Sequence, residues 1–356
     1  MSLDRFLLRM PKVELHVHLE GAMRPAVLLE LARRNGVELP ARDEAGLKRW
    51  FRFRDFDHFV EVYLTCSRSL RAPEDFALLA SDFLAEQACQ NVVYSEVHFT
   101  IATHLANGVD GDAVRQALAQ AIAEGERRLG VTMRLIPDIV RNVGPQVADK
   151  TLAWALAGRD DVVVALGLSG SEARFGNEPF QPHFAAAAQA GLHRVAHAGE
   201  HAGPESIRSV LEACGAERIG HGVRAVDDPA LVAELARRGI PLEVSPTSNL
   251  CLGVVPDLLR HPFDRLYRSG VALSVNSDDP AFFNTNLTRE YRNLQQAFGY
   301  TPEQLAGLSL AALRQSFLPA AERSSWEERF RGQLDALGRE LFGAPVVPAE
   351  APVPAI

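Results

Sequence analysis

Imidazole and carboxyl side chains of the kind that bind metal ions recur at separate places along this chain. His16 and His18 are two residues apart, so a strand would point both imidazoles to one face. His197, His221 and Asp278 follow much further on. A single His-x-His triplet is a weak signal, because such histidines are often exposed or hydrogen-bonded within a core. Several such places in one chain predict a metal site if the fold brings them together.

The donor types indicate which ion and which chemistry to expect. Three imidazoles and one carboxylate suit Zn²⁺ and leave a position for water, which can then lose a proton near neutral pH. Glu200 and Asp279 lie one to three residues from candidate ligands, where they could act as acid and base groups. A two-metal site of this kind usually needs a carboxylated lysine. The apolar run 162–170 contains no lysine, so we expect one Zn²⁺ per chain.

Eight short apolar runs could supply strands that position these side chains. Segments rich in Ala, Leu, Glu and Arg separate the runs and favour helices. This alternation predicts the α/β class and a closed (β/α)₈ TIM barrel, with an open doubly wound sheet as the alternative. In a barrel the carboxyl ends of the strands meet at one face, so the candidate ligands would converge there. The runs are 13–17, 92–99, 133–140, 162–168, 194–197, 218–221, 241–244 and 271–275.

Two segments are not explained by a simple barrel. About 70 residues separate the first two runs, which predicts extra helices capping the carboxyl end of the first strand. We interpret the aromatic residues in 50–63 as core packing, with a lid over the substrate as the alternative. We expect one barrel domain over 1–342 and a flexible tail rich in Pro and Ala over 343–356.

Composition excludes several classes of protein. The 356 residues are 47% hydrophobic and 23% charged, which is typical of a globular protein rather than a disordered one. The net charge of -8 gives no general attraction to nucleic acid or anionic lipid. We find no signal peptide and no run of about 20 apolar residues, so we expect no membrane partner. The four cysteines form no C-x-x-C pair, which favours a reducing cytoplasm. Composition does not indicate an oligomeric state.

Five motifs occur in a recognisable order. They are PKVELHVHLEG at 11–21, HAGE at 197–200, RIGHG at 218–222, PTSN at 246–249 and SDDP at 277–280. Together, over residues 7 to 330, the chain resembles the adenosine and adenine deaminases. The resemblance implies a zinc-dependent hydrolase of the cyclic-amidine C–N bond in purines, on a (β/α)₈ barrel. It implies that His16, His18, His197 and Asp278 hold the zinc.

The resemblance also implies catalytic roles. Glu200 would donate a proton to purine N1, His221 would orient or deprotonate the attacking water, and Asp279 would hydrogen-bond to that water. Attack at C6 breaks the aromaticity of the ring, so N1 must be protonated, and burial can keep a carboxyl group neutral for this. We therefore expect a raised pKa for Glu200.

The resemblance assigns substrate contacts as well. His18 and Asp279 would border the purine, the backbone amide of Gly170 would hold its N3 edge, and Glu20 would lie at the sugar end. The adenosine-specific branch usually has Asp in place of Glu20, where it meets the 5'-hydroxyl, and an acidic residue in place of Gly167 or Ser171. The reach of the carboxylate therefore differs by about one methylene, which affects selectivity.

Several substrates stay open at this point. Segments 53–59 and 164–172 resemble the aminodeoxyfutalosine deaminases. We expect adenosine or deoxyadenosine first, with adenine and aminodeoxyfutalosine as alternatives. Another mononuclear metal amidohydrolase, or a purine-binding protein without catalysis, is more remote. The smaller cytidine-deaminase type of zinc site is excluded, because the chain lacks a P-C-x-x-C segment.

The remaining histidines are expected to be structural or exposed, and His98, on the second run, is the strongest candidate for an exception. They are His58, His98, His104, His183, His193, His201 and His261.

Overall fold

The computed structural model describes residues 2–53 and 56–347, with the backbone alone at 56 and 57. Its eight strands are β1 Lys12–His18, β2 Val92–Phe99, β3 Thr132–Val140, β4 Ala165–Ser169, β5 His193–Ala198, β6 Arg218–His221, β7 Leu242–Val244 and β8 Leu273–Val275. All neighbouring pairs are parallel and follow the order of the sequence. Helices follow each strand, so the predicted (β/α)₈ TIM barrel is confirmed.

Helices surround the sheet and cover its outer face. The described α-helices are α1 Ser2–Arg9, α2 Pro25–Asn35, α3 Glu44–Trp50, α4 Phe56–Arg68, α5 Pro73–Cys89, α6 Ile101–Ala106, α7 Gly111–Leu129, α8 Pro145–Gly158, α9 Gln181–Gln189, α10 Pro204–Ala213, α11 Pro229–Arg238, α12 Pro246–Cys251, α13 Phe263–Arg268, α14 Leu287–Phe298, α15 Pro302–Gln315 and α16 Ala320–Phe342. Among them, none combines the length and apolar composition that crossing a bilayer requires.

The barrel closes between β1 and the residues that follow β8. The amide of His18 donates to the carbonyl of Asp278 at 2.8 Å, and the amide of Asp278 donates to the carbonyl of His16 at 3.1 Å. Below this point the side chain of Asn276 takes the place of a strand, because its Oδ1 accepts from the amides of Leu15 at 2.8 Å and His16 at 3.1 Å. The seam therefore fixes Asp278 directly beside the two histidines of β1.

The fourth strand differs from its prediction. The apolar run begins at Val162, but regular pairing begins at Ala165. Val163 forms only an isolated bridge with Leu135, with hydrogen bonds from Leu135 N to Val162 O and from Val164 N to Leu135 O. Burial of Val162 and Val163, rather than strand pairing, explains the apolar start of this run.

The extra helices between β1 and β2 are present as predicted, as α2 to α5. The hydroxyl of Tyr63 on α4 donates to Thr100 Oγ1 at 2.8 Å, which ties this helix to the loop after β2. Phe51 is buried, while Phe53 and Phe59 are half-buried and pack against the core. These aromatic residues therefore pack against the core, and a lid over the substrate stays a prediction for the exposed parts of Phe53 and Phe59. Arg54 and Asp55 lie outside the described residues.

The end of the chain is described as far as residue 347. After α16 the chain turns at Gly343, and Val346 is buried. The amide of Val347 donates to Asp335 Oδ1 at 3.0 Å. Residues 343–347, the first part of the predicted tail, therefore pack against α16, and 348–356 lie outside the described residues.

Candidate metal and catalytic site

The four predicted metal ligands lie together at the carboxyl ends of the strands. His16 and His18 come from β1, His197 comes from β5, and Asp278 follows β8. One ligand atom from each lies within 4.8 Å of the others. The Nε2 atoms of His18 and His197 are 3.2 Å apart, and Asp278 Oδ1 is 3.4 Å from His18 Nε2. The structure therefore brings together residues that are up to 262 positions apart in sequence.

Hydrogen bonds at the far ring nitrogens orient two of these imidazoles. His16 Nδ1 lies 2.8 Å from Glu243 Oε2, and His197 Nδ1 lies 3.0 Å from the carbonyl oxygen of Leu168. Each Nε2 is thereby left to face the cluster, as in many metal sites. Although burial opposes ionisation, Arg218 and His16 hold the pKa of Glu243 at about 2. This carboxylate is therefore a fixed negative charge behind His16.

The donor set fits a divalent cation. All four side chains are buried, and His16 Nε2 has no hydrogen-bond partner among the described residues. A buried polar atom without a partner costs about 1–3 kcal/mol, and coordination would remove that cost. Three imidazoles with one carboxylate match the preference of Zn²⁺. These residues therefore fit the ion that the sequence predicts.

Two residues of the site have a strained backbone. Asp278 has φ +64° and His221 has φ +63°, values that side-chain-bearing residues adopt rarely. Such conformations persist where the surrounding structure imposes them, and they cluster at functional sites. His221 is the last residue of β6 and Asp278 comes three residues after the end of β8, so both positive φ values occur where the chain leaves the barrel.

Glu200 lies beside His221, so the structure brings these two candidate catalytic residues together. Glu200 Oε1 is 3.8 Å from His221 Nδ1 and is buried with no hydrogen-bond partner among the described residues. Its other oxygen, Oε2, is 3.0 Å from Nδ1 of His201. Burial raises the pKa of Glu200, but the two imidazoles outweigh burial and hold the pKa below its usual value. The expected raised pKa is therefore wrong for this arrangement, because burial was considered without His201.

Asp279 is placed by a close backbone approach. Its Oδ1 is buried with no hydrogen-bond partner in the described part of the chain. A Cβ atom on Gly21 would lie 1.8 Å from this oxygen, so only glycine fits there. Burial and the neighbouring Asp278 raise the pKa of Asp279 well above its usual value. Asp279 is therefore a second buried carboxyl group with an atom available to a ligand.

The predicted substrate contacts lie around this cluster. Gly170 follows the end of β4 with φ +89°, and its carbonyl accepts from Arg141 Nη1 at 3.3 Å. Glu20 is buried after β1, and its Oε1 accepts from the amide of Thr100 and from His104 Nε2, both at 2.9 Å. Its Oε2 has no hydrogen-bond partner in the described residues. Oε1 of Glu20 is therefore fixed by protein groups, and Oε2 is available to a substrate.

Comparison with known proteins decides the family. The family model described as adenosine deaminase matches residues 11–331. The chain belongs to the adenosine deaminase family. It is therefore an enzyme, a hydrolase of the deaminase type that acts on an amidine C–N bond of a purine.

Individual relatives show which branches are similar. The adenine deaminase of Vibrio parahaemolyticus is 35% identical over 316 residues, which cover 89% of this chain and 94% of the relative. The aminodeoxyfutalosine deaminase of Streptomyces coelicolor is 38% identical over 321 residues, covering 90% and 83%. The solved structure of a zinc-bound amidohydrolase from Burkholderia ambifaria has a TM-score of 0.89 and 27% identity, covering 96% of this chain and 95% of that one.

This deaminase has one further histidine in the cluster. His98, on β2, is fully buried, and its ring centroid lies 4.5 Å from that of His16 and 5.0 Å from that of His18. Its Nδ1 is 2.9 Å from Asp138 Oδ1. A side chain at Gly167 would meet this carboxylate, since a Cβ there would lie 1.9 Å from Asp138 Oδ1. Asp138 therefore fills the space that an acidic residue at 167 would need.

The other histidines of the deaminase are as expected, apart from His201 beside Glu200. His104 is buried against Glu20, His183 pairs with Asp149, and His261 pairs with Asn249. These residues have structural partners. The signal for His98 is its position on the β2 face that carries Glu96, whose side chain also points into the barrel.

Proposed function

We propose that this protein hydrolyses the bond between C6 and the amino group of an adenine ring and releases ammonia, using one Zn²⁺ per chain. The observation that supports this is the cluster of His16, His18, His197 and Asp278 with Glu200 and Asp279 beside it. Both of those carboxyl groups have a buried oxygen without a partner among the described residues. A substrate that offers hydrogen-bonding groups would satisfy both.

The metal ligands and the acid groups have separate tasks. A divalent cation held by the four ligands supplies Lewis acidity, which lowers the pKa of water. His221 and Asp279 hold and orient the attacking water by hydrogen bonding. Glu200, whose pKa the two imidazoles lower, must take up a proton before it can pass one to N1 as C6 becomes tetrahedral and the ring loses its aromaticity. The attacking water gives up both of its protons over the reaction: its oxygen stays on C6, one proton replaces the one delivered to N1, and the other goes to the amino group, which leaves as ammonia when the C6–N bond breaks.

For the substrate, we propose aminodeoxyfutalosine or adenine ahead of adenosine. The sequence alone had favoured adenosine. The relatives described above carry the names of these two activities. Their identities, 35% and 38%, do not separate the two. The choice therefore depends on the space around the site.

Aromatic side chains favour the larger of these substrates. Phe53 and Phe59, from the cap over β1, are half-buried, and their ring centroids lie 5.7 and 6.0 Å from that of Phe283. Phe283 follows Asp279 by four residues. An aromatic surface next to the site suits an apolar group beyond the purine ring. We therefore place aminodeoxyfutalosine, a modified nucleoside, first and free adenine second.

The test is a panel of substrates. Zinc-loaded protein is incubated with aminodeoxyfutalosine, adenine, adenosine, deoxyadenosine and methylthioadenosine, and the ultraviolet shift and the released ammonia are measured. We expect the highest kcat/KM on aminodeoxyfutalosine, with one ammonia released per purine. Highest kcat/KM on adenine would reverse the order of the two candidates. No ammonia from any of the five, with zinc bound, would reject the proposal.

We also propose a cytoplasmic location and a small purine as the partner. The cysteines Cys66, Cys89, Cys214 and Cys251 are all free thiols, which persist in reducing compartments. The net charge of -8 gives no general attraction to nucleic acid or to anionic membranes.

A further inference from the structure

The side chain of Glu172 crosses from the loop after β4 to the loop after β5. Its Oε1 accepts hydrogen bonds from the amides of Glu200 at 2.7 Å, His201 at 2.6 Å and Ala202 at 3.0 Å. Its Oε2 accepts from the amide of Gly199 at 2.7 Å and from Ser206 Oγ at 2.6 Å. Four consecutive backbone N–H groups and one hydroxyl thus converge on one carboxylate.

These amides lie between the end of β5 and the start of α10, so neither element supplies partners for them. Consecutive N–H groups that turn to one side form a site for an anion. Gly199 allows this turn, since it has φ +66° and a Cβ there would lie 2.4 Å from Ile207 Cδ1. Hydrogen bonds to an ionised acceptor are roughly twice as strong as neutral ones. The Glu172 carboxylate therefore fixes the backbone on both sides of Glu200.

We infer that Glu172 is a positioning residue for Glu200 in the deamination reaction, an inference that rests on the proposed function. Glu200 is the second of the four residues whose amides donate to Glu172, and its side-chain Oε1 has no hydrogen-bond partner among the described residues. Proton transfer to N1 requires that this carboxyl group lie at hydrogen-bond distance from the ring. A displacement of about 1 Å can cost roughly 10²-fold in rate.

The hydrogen bonds that hold the metal ligand His197 do not include Glu172. Arg141, buried beneath the loops, donates from Nη2 to the carbonyl of His197 at 2.6 Å and from Nη1 to the carbonyl of Gly170 at 3.3 Å. His197 also keeps its own bond to the Leu168 carbonyl. Loss of the Glu172 carboxylate should therefore move Glu200 and leave the metal site intact.

The variant Glu172→Gln tests the inference. Glutamine has the same shape, but its NH₂ group must face backbone N–H donors that need an acceptor. We expect kcat on the best substrate to fall by roughly 10- to 100-fold. We expect KM to change less than about threefold, since uniform binding is not removed. Metal content should equal that of the wild type.

Ser206→Ala is the matched control. It removes one partner of the same carboxylate and keeps the four amide bonds, so kcat should stay within about twofold of wild type. If Glu172→Gln has no larger effect on kcat than this control, the inference is wrong.

A double-mutant cycle separates positioning from an unrelated structural effect. If Glu172 acts through Glu200, Glu172→Gln should lower kcat little further in a Glu200→Gln background, because coupled effects are not additive. An equal loss of kcat in both backgrounds would show that Glu172 acts independently and would overturn the inference.

Hydrogen exchange provides a readout that does not require activity. In Glu172→Gln the amides of 199–202 should exchange faster than in the wild type, while those of β5 should be unchanged. Unchanged exchange at 199–202 would overturn the inference even if no substrate is found. If Glu172→Gln fails to fold, Glu172→Asp, which is shorter by one methylene and cannot span the same gap, takes its place with the same expected outcomes. The two failures can be told apart. If exchange at 199–202 is faster in Glu172→Gln but the wild type is inactive on every purine, the role of Glu172 in fixing this loop stands and the proposed function is rejected.

Discussion

Side-chain types, their spacing and the family resemblance together predicted the candidate metal ligands better than the acid–base behaviour around them. His16, His18, His197 and Asp278 lie at or near the ends of apolar runs, as His221 does, and the resemblance selects these four. The structure places one ligand atom of each within 4.8 Å of the others. The direction of the Glu200 pKa was wrong, because it depends on the orientation of two imidazoles. Sequence shows that His201 is next to Glu200, but it does not show that their side chains meet.

Substitutions of a candidate metal ligand and of the acid–base residue Glu200 should have different effects. Glu200→Gln removes the proton donor and leaves the ligands, so we expect full metal content with turnover lowered by roughly 10² to 10⁴. His16→Ala removes a ligand and should lower zinc content. Metal analysis and kcat on the same preparations check both.

His193→Ala is the control for histidine loss, since His193 lies at the opposite end of β5 from His197 and stacks on Phe317. It should keep both zinc and turnover. A fully metal-loaded His16→Ala protein would remove His16 from the ligand set, and wild-type turnover in Glu200→Gln would refute its proposed role.

At the scale of the elements, apolar runs predict strands where both faces of the strand are buried. All seven residues of β1 are buried, including Lys12 and Glu14, because helices cover one side and barrel side chains fill the other. The closing seam could not be predicted, since there a side chain replaces part of a strand. Asn276 Oδ1 accepts hydrogen bonds from two backbone amides of β1. Nothing in the sequence around Asn276 distinguishes it from an asparagine in a turn.

Asn276→Ala should weaken this seam. It leaves the buried amides of Leu15 and His16 without their acceptor, and each such loss costs about 1–3 kcal/mol. We expect a lower free energy of unfolding in denaturant titrations of the metal-free protein. Asn293→Ala is the comparison, because Asn293 makes one half-buried bond, to Thr247. Equal losses in the two variants would contradict a closing role for Asn276.

For the whole molecule, the alternation of eight apolar runs with helical segments favoured the barrel over an open doubly wound sheet, and the convergence of the candidate ligands followed from the barrel. The packing of Val346 against α16 was missed, because one buried valine in a Pro- and Ala-rich segment leaves no periodic pattern. The contact between Glu172 and residues 199–202 was missed for a related reason. Hydrogen bonds between loops leave no period in the sequence, whereas strands and helices do.

The most direct test of the central claim is a zinc titration of metal-stripped protein, with turnover of the best 6-aminopurine measured at each addition. If one cluster of three imidazoles and one carboxylate holds the only catalytic metal, the metal-stripped protein should show no turnover. A single cluster also predicts a linear rise that ends at one Zn²⁺ per chain, with that amount confirmed by metal analysis. Full turnover in the stripped protein, or a rise that continues to two Zn²⁺ per chain, would contradict the account.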